Sequence, residues 1–138
     1  MITGIGTDII SISRIEDAFK KFGDKFAERI LSDEELEIFI KRKNEKNNQQ
    51  INYLAKRFAG KEAISKAIGT GIGGDISFKD ISILNDEKGK PFVKISAGCN
   101  LAKFLQNKKI FISLSDDVLN KNKVSLGLVS AFVILEHL

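Results

Sequence analysis

Three residues, Asp8, Glu62 and Lys66, have the types and spacing from which this 138-residue chain could build a reactive centre. Its only histidine, His137, stands one residue from the end, where chains tend to fray, so a histidine-based triad is set aside. Chemistry then rests on carboxylates, lysines and a metal. Asp8 follows Gly4-Ile5-Gly6, where small residues let another element or a ligand come close to the backbone. Glu62 and Lys66 belong to Leu54–Gly74, LAKRFAGKEAISKAIGTGIGG, which has the pattern of a helix closed by Gly69 at C′. On a helical wheel started at Leu54, Phe58, Ala55 and Ala59 fall at roughly 40°, 100° and 140°. Glu62 and Lys66 fall at roughly 80° and 120°, inside that apolar arc. A carboxylate and an ammonium there are costly unless paired or liganded. Carboxylates at a strand end and in mid-helix suit Mg²⁺, which takes few protein ligands and completes its shell with water and phosphate oxygens. Two plainer accounts fit the same residues. Glu62 and Lys66 could be a structural i,i+4 pair, and Asp8 a turn or helix-entry aspartate.

The loop behind the helix, Gly69-Thr70-Gly71-Ile72-Gly73-Gly74, matches GxGxxG in letters only. The dinucleotide fingerprint needs those glycines after a strand and opening a helix, so that phosphates meet a helix N-terminus. Here they follow a helix and lead into strands, and no Gly-Lys-Ser/Thr of a Walker loop follows. What survives is a flexible loop whose amides could cradle a phosphate, with Lys66 and Arg57 close behind.

The elements that must hold these residues follow from pattern. Met1 to Ile10 predicts a short first strand. Ser13-Arg14-Ile15-Glu16 predicts a capping box with Ser13 as N-cap, opening a helix that buries Ile15, Ala18, Phe19 and Phe22 and stops at Gly23. Its other face carries Arg14, Lys20 and Lys21. Phe26 to Leu31 continues the apolar packing with Glu28 and Arg29 outward. Ser32-Asp33-Glu34-Glu35 is a second capping box, opening a helix through Leu36, Phe39 and Ile40. Asn44 to Gln50 is a polar break before the central helix. Ile81–Leu84 and Phe92–Ile95 predict a hairpin, with Pro91 starting the return strand. A short helix around Asn100 to Gln106 precedes a strand, Lys109 to Ser115, whose Ile110 and Ile112 face opposite to Phe111. A polar loop, Asp116 to Lys123, leads to a last strand from Val124 to Leu135. This order predicts one α+β domain spanning 1–138, with helices packed on a mainly antiparallel sheet.

A net charge of +4 suits an acidic partner or a phosphorylated ligand without demanding nucleic acid. A small basic module binding RNA or protein without catalysis is the competing class. It would need an aromatic-rich RNP-like strand or a dense Lys/Arg stripe, and the sequence has neither. The single Cys99 forms no internal disulfide, and no Cys/His cluster is present for zinc. The start lacks the features of a signal peptide, and the apolar run Val124 to Leu135 is too short for a bilayer. A cytoplasmic protein, without membrane or nucleic-acid partners, is expected.

Gly4-Ile5-Gly6-Thr7-Asp8-Ile9 and Arg57-Phe58-Ala59-Gly60-Lys61-Glu62-Ala63-Ile64-Ser65-Lys66-Ala67 resemble the two signature motifs of the 4′-phosphopantetheinyl transferases. The match is closest to the small bacterial holo-(acyl carrier protein) synthases. Phe26–Leu31, the Gly69–Gly73 loop, Asp80-Ile81, Gly89-Lys90-Pro91 and Ile112–Ser115 are also similar, in the same order along nearly the whole chain. The resemblance implies the family's α+β fold and transfer of 4′-phosphopantetheine from coenzyme A to a serine of apo-acyl carrier protein. Adenosine 3′,5′-bisphosphate would be released, and the product would serve fatty acid biosynthesis. Asp8 and Glu62 would bind Mg²⁺ with the pyrophosphate, and Lys66 would face the phosphates. Glu62 and Lys66 would be the catalytic residues. Arg57, Lys66, Gly69, Thr70, Gly71, Lys90 and Pro91 would line the coenzyme A site. Arg14, Lys20 and Lys21 would dock the acidic carrier protein. The family also implies a homotrimer with active sites shared between subunits. The chain departs from the pattern at Phe111 and Asp116, where many relatives carry histidine, and its Asp116 to Lys123 loop is longer than usual.

Overall fold

Alternation of apolar and small residues makes the first element, β1 (Ile2–Ser11), a strand, and it runs without a break into α1 (Ile12–Phe22). In the computed structural model, which describes residues 1–44, 49–118 and 126–138, α2 (Asp24–Ile30), α3 (Asp33–Lys41) and the long α4 (Gln49–Ile68) follow. Then come β2 (Ile81–Asn85), β3 (Pro91–Ile95), the one-turn α5 (Ala102–Leu105), β4 (Lys108–Asp117) and β5 (Leu128–His137). The predicted α+β class holds. The strands form two antiparallel sheets, a three-stranded one in the order β1-β5-β4 and the separate β2-β3 hairpin. Among the described residues no helix is long and apolar enough to cross a membrane.

Helix α4 is the axis of the molecule. Leu54, Ala55, Ala59, Ala63 and Ile64 on it are fully buried, and its small residues let neighbours approach on nearly every side. The closest approach is by β1. A Cβ on Gly4 would lie 2.0 Å from the Ala67 carbonyl oxygen, and one on Gly6 would lie 1.9 Å from that of Ala63. Successive strand residues face opposite ways, so Gly4, Gly6, Asp8 and Ile10 share the face toward α4. Ile5 and Ile9 stand on the outer face, 63% and 69% exposed, beside Phe132 of β5 and Phe111 of β4.

Several local expectations need correction. Ser13 is not an N-cap. The helix begins at Ile12, whose side chain is buried and whose N–H bonds the Gly127 carbonyl, so Ser13 already lies in the first turn. Phe22 is exposed, because the helix ends there and Gly23 turns the chain away. The second capping box forms as read, with Ser32 accepting from the Glu35 N–H and Glu35 accepting from the Ser32 N–H. Helix α4 starts at Gln49, so the end of the polar break is helical; residues 45–48 of that break lie outside the described residues. Strand β4 extends through Asp117, and the last strand starts at Leu128 instead of Val124. Most of the Asp116 to Lys123 loop, 119–123, is likewise outside the described residues.

Candidate active site

The approach of Gly6 to Ala63 brings the end of β1 against the C-terminal half of α4, and the candidate residues meet there. Asp8 lies two residues beyond Gly6, and Glu62 directly precedes Ala63. Lys66, one turn further along, donates from Nζ to the Thr7 carbonyl at 2.8 Å and to Asp8 Oδ1 at 3.1 Å. Burial raises the Glu62 carboxyl above the ordinary range, and the charge of Asp8 raises it further; Lys66 and Arg14 oppose the shift. Asp8 and Glu62 thus repel, and a cation between them would relieve both. Two oxygen donors at a half-open site have the chemistry of a hard ion such as Mg²⁺. Among the described residues no group of three or more His, Cys, Asp or Glu is arranged to hold a metal ion by itself.

The wheel placed Glu62 and Lys66 on a buried face, and that is corrected. Glu62 is half-buried and the Lys66 side chain is 53% exposed, because α4 emerges from the core toward its end. The ion pair that forms is Lys66 with Asp8. Gly69 closes the helix in the left-handed conformation at φ 93°, and the N–H groups of Gly69 and Thr70 both bond the Ser65 carbonyl. Gly69, Thr70 and Gly71 are exposed beside the Lys66 end of the helix.

Arg57 does not stand behind this loop. Nine residues before Lys66, it lies about 13 Å back along the axis. Its guanidinium is buried, donating from Nε to the Ile83 carbonyl at 3.2 Å and from Nη2 to Asn85 Oδ1 at 2.8 Å, and lying over the Tyr53 ring. Burial lowers its pKa, with the Tyr53 and Glu35 charges opposing. Arg57, Asn85 and Pro91 line a polar recess of 430 Å³, together with Arg42, Tyr53 and Lys56. Lys90 and Pro91 also border an apolar groove of 570 Å³ lined by Phe92, Phe111 and Phe132. On α1, Arg14 is exposed within electrostatic reach of Glu62, Lys20 pairs with Glu16 at 3.1 Å, and Lys21 lies over the Phe22 ring.

The model of the 4′-phosphopantetheinyl transferase superfamily matches residues 4–125. The chain belongs to this superfamily. A holo-(acyl carrier protein) synthase of Vibrio cholerae is 48% identical over 118 residues, covering 85% of this chain and 90% of the relative. The crystal structure of the Neisseria meningitidis holo-(acyl carrier protein) synthase superposes with a TM-score of 0.82 at 44% identity, covering 99% of both chains. The Bacillus anthracis holo-(acyl carrier protein) synthase, solved in complex with CoA (3′,5′-ADP), gives 0.77 at 38% identity, covering 100% of this chain and 99% of that one.

Within this transferase-family chain, Asp116 serves as an anchor. It accepts from Lys56 at 2.7 Å and from Asn52 at 3.3 Å. Burial works to raise its carboxyl, but the bonds and charge of Lys56, with Asn52, outweigh burial and hold it below the ordinary range. Phe111, at the other departure from the pattern, stands on the outer sheet face with the Lys109 ammonium over its ring.

A second charged cluster escaped the sequence entirely. Lys61 is fully buried and donates from Nζ to Glu35, to the Ile30 carbonyl at 2.6 Å and to the Phe78 carbonyl at 3.0 Å. Glu35 also accepts from the Ile83 N–H at 2.9 Å. Burial pushes the Lys61 pKa down to about 8, against the charge and hydrogen bond of Glu35. A lysine in a helix of small and apolar residues was the available signal. Its acceptors come from remote elements and leave no trace in local spacing.

Proposed function

We propose that this chain is a holo-(acyl carrier protein) synthase, transferring 4′-phosphopantetheine from coenzyme A to a serine of apo-acyl carrier protein. The observation that carries the reading is the junction of Asp8, Glu62 and Lys66 where β1 crosses α4, in a chain of this family. Residues 1–138 act as one transferase domain. Asp8 and Glu62 would hold Mg²⁺, which would supply charge neutralisation and Lewis-acid polarisation at the pyrophosphate. Lys66, half-exposed at the end of α4 and held by Thr7 and Asp8, offers its ammonium to the phosphate oxygens as charge builds. The serine oxygen bonds to the phosphorus of the pantetheine phosphate, and the anhydride bond breaks. Adenosine 3′,5′-bisphosphate leaves with the electron pair, and the serine proton passes to water.

Gly69, Thr70 and Gly71 bound the phosphate side of the coenzyme A site, and Arg57 with Lys90 and Pro91 its far wall. Arg14, Lys20 and Lys21 on α1 receive the acidic carrier protein; the electrostatic reach of Arg14 to Glu62 supports this reading. The chain acts as a homotrimer with shared sites. The exposed apolar face built from Ile5, Ile9, Phe111 and Phe132 supports this, since such patches are costly in water. The reaction belongs to the cytoplasm and to fatty acid biosynthesis; a chain with one cysteine needs no oxidising compartment.

The deciding experiment incubates apo-acyl carrier protein, coenzyme A and Mg²⁺ with the protein and weighs the carrier. A gain of one phosphopantetheine, abolished by a chelator and restored by Mg²⁺, is expected. No gain on several acidic carrier proteins would overturn the reading. Gel-filtration mass checks the trimer separately.

A further inference from the structure

The β2-β3 hairpin carries Lys90 and Pro91, and its tip is held from within by Asp86. The Asp86 carboxylate accepts from the Lys88 N–H at 2.8 Å and the Lys90 N–H at 2.9 Å, and its own N–H bonds the Lys90 carbonyl. The base of this two-stranded sheet is anchored by the fully buried Ile81 and Ile83, but its exposed tip needs a tie of its own to the core. One side chain supplies it. Asn85 Oδ1 accepts from Arg57 Nη2 at 2.8 Å, and Asn85 Nδ2 donates to the Gly89 carbonyl at 2.8 Å. Arg57 is itself fixed by its bond to the Ile83 carbonyl and by the Tyr53 ring.

We infer that Asn85 is a positioning residue, a relay that fixes the Lys90-Pro91 tip relative to α4 and so sets the wall presented to coenzyme A. The bond directions specify the amide. One end must accept from a guanidinium and the other must donate to a carbonyl, and the asparagine side chain does both from two atoms of one plane. Asn85 is exposed and faces Pro91 across the ladder, so replacing it removes the relay without opening a core cavity. The charge-assisted bond from Arg57 is the stronger half and anchors the weaker bond to the tip. Asn85 acts through Lys90 and Pro91 and touches none of Asp8, Glu62 and Lys66 by any hydrogen bond the structure contains. The inference rests on the proposed coenzyme A site.

Its test compares Asn85→Ala, Asn85→Asp and Lys90→Ala by steady-state transfer to apo-acyl carrier protein, with thermal melting alongside. Asn85→Ala is expected to raise KM for coenzyme A by about three- to tenfold, with kcat and KM for the carrier protein within about twofold. Asn85→Asp keeps the acceptor for Arg57 but turns an acceptor toward the Gly89 carbonyl, and is expected to match the alanine variant. A merely structural asparagine would lower the melting temperature and depress kcat while sparing the coenzyme A KM, which would overturn the relay. So would wild-type behaviour in Asn85→Asp. If Lys90→Ala raises the coenzyme A KM and Asn85→Ala does not, the relay alone fails. If Lys90→Ala also leaves it unchanged, the hairpin is no wall of the site and both ideas fall.

Discussion

Helix α4 carries two lysines five residues apart whose circumstances are opposite. Lys61 is sealed in the core, with Glu35 and two carbonyls taking all three of its ammonium protons. Lys66 stands at the open end of the same helix with a single carboxylate partner, Asp8, and a side chain half in water. The inner cluster is saturated and joins α2, α3, α4 and β2 into one block. The outer cluster is under-satisfied, since two carboxylates share one half-exposed ammonium with Arg14 nearby. Charge that is fully answered holds a fold together, and charge left short of partners is available to a ligand. One helix supplies both because only its last turns leave the core.

The sharpest way to break this contrast is Lys61→Ala, which strands the Glu35 carboxylate in the interior. A loss of about 3–5 kcal/mol is expected, read as a fall in the urea midpoint. Glu62→Gln should do the reverse, leaving a folded protein whose transfer rate drops at least about a hundredfold in the mass assay. If that variant unfolds, the outer cluster is structural and the contrast is lost. Replacing both inner partners, Lys61→Met with Glu35→Leu, should recover most of the single-variant loss, because burying an ion pair costs about what the pair returns. The Ser32 and Ile83 N–H groups that Glu35 served would remain as the deficit. Lys66→Ala, at an exposed pair, should change stability by less than about 1 kcal/mol in the same titration.

The smallest effect is in pH dependence. Glu62 binds its proton more tightly folded than unfolded, so as pH climbs through the window above the ordinary carboxylate pKa the folded state loses stability relative to the unfolded one. The contribution is fully present below that window and gone above it. Glu62→Gln should therefore melt with less dependence on pH across the window and no lower than the native protein at neutral pH. A native protein that gains stability from Glu62 over that range would contradict the shift.

Each half of the outer cluster was legible because it is local: Gly4, Gly6 and Asp8 alternate on one strand face, and Glu62 and Lys66 are one turn apart; that the two halves meet, across 54 residues, came from the family resemblance and not from spacing. The small residues before Asp8 predicted a close approach, and Ala63 and Ala67 of α4 make it. The inner cluster was not legible, since Glu35 had already been assigned a role as the capping partner of Ser32. Its second oxygen, bonded to Ile83 forty-eight residues away, could not be read from spacing. The Ser13–Glu16 pattern failed for a related reason. It satisfied the local rule for a helix start, but the bond of Ile12 to Gly127 starts the helix earlier. Arg57 was misplaced because proximity in sequence was taken for proximity to the loop, whereas a straight helix separates the two.

The contact of Gly4 and Gly6 with α4 also makes a gauge. How far apart Asp8 and Glu62 stand depends on the missing methyl groups of two glycines that offer no side-chain ligand of their own. A methyl on Gly6 would meet the Ala63 carbonyl at 1.9 Å and force strand and helix apart. Magnesium holds its oxygens at about 2.0–2.1 Å and calcium at about 2.3–2.6 Å. If Asp8 and Glu62 hold a divalent ion as proposed, the thickness of a backbone would set the ionic radius that the pair accepts.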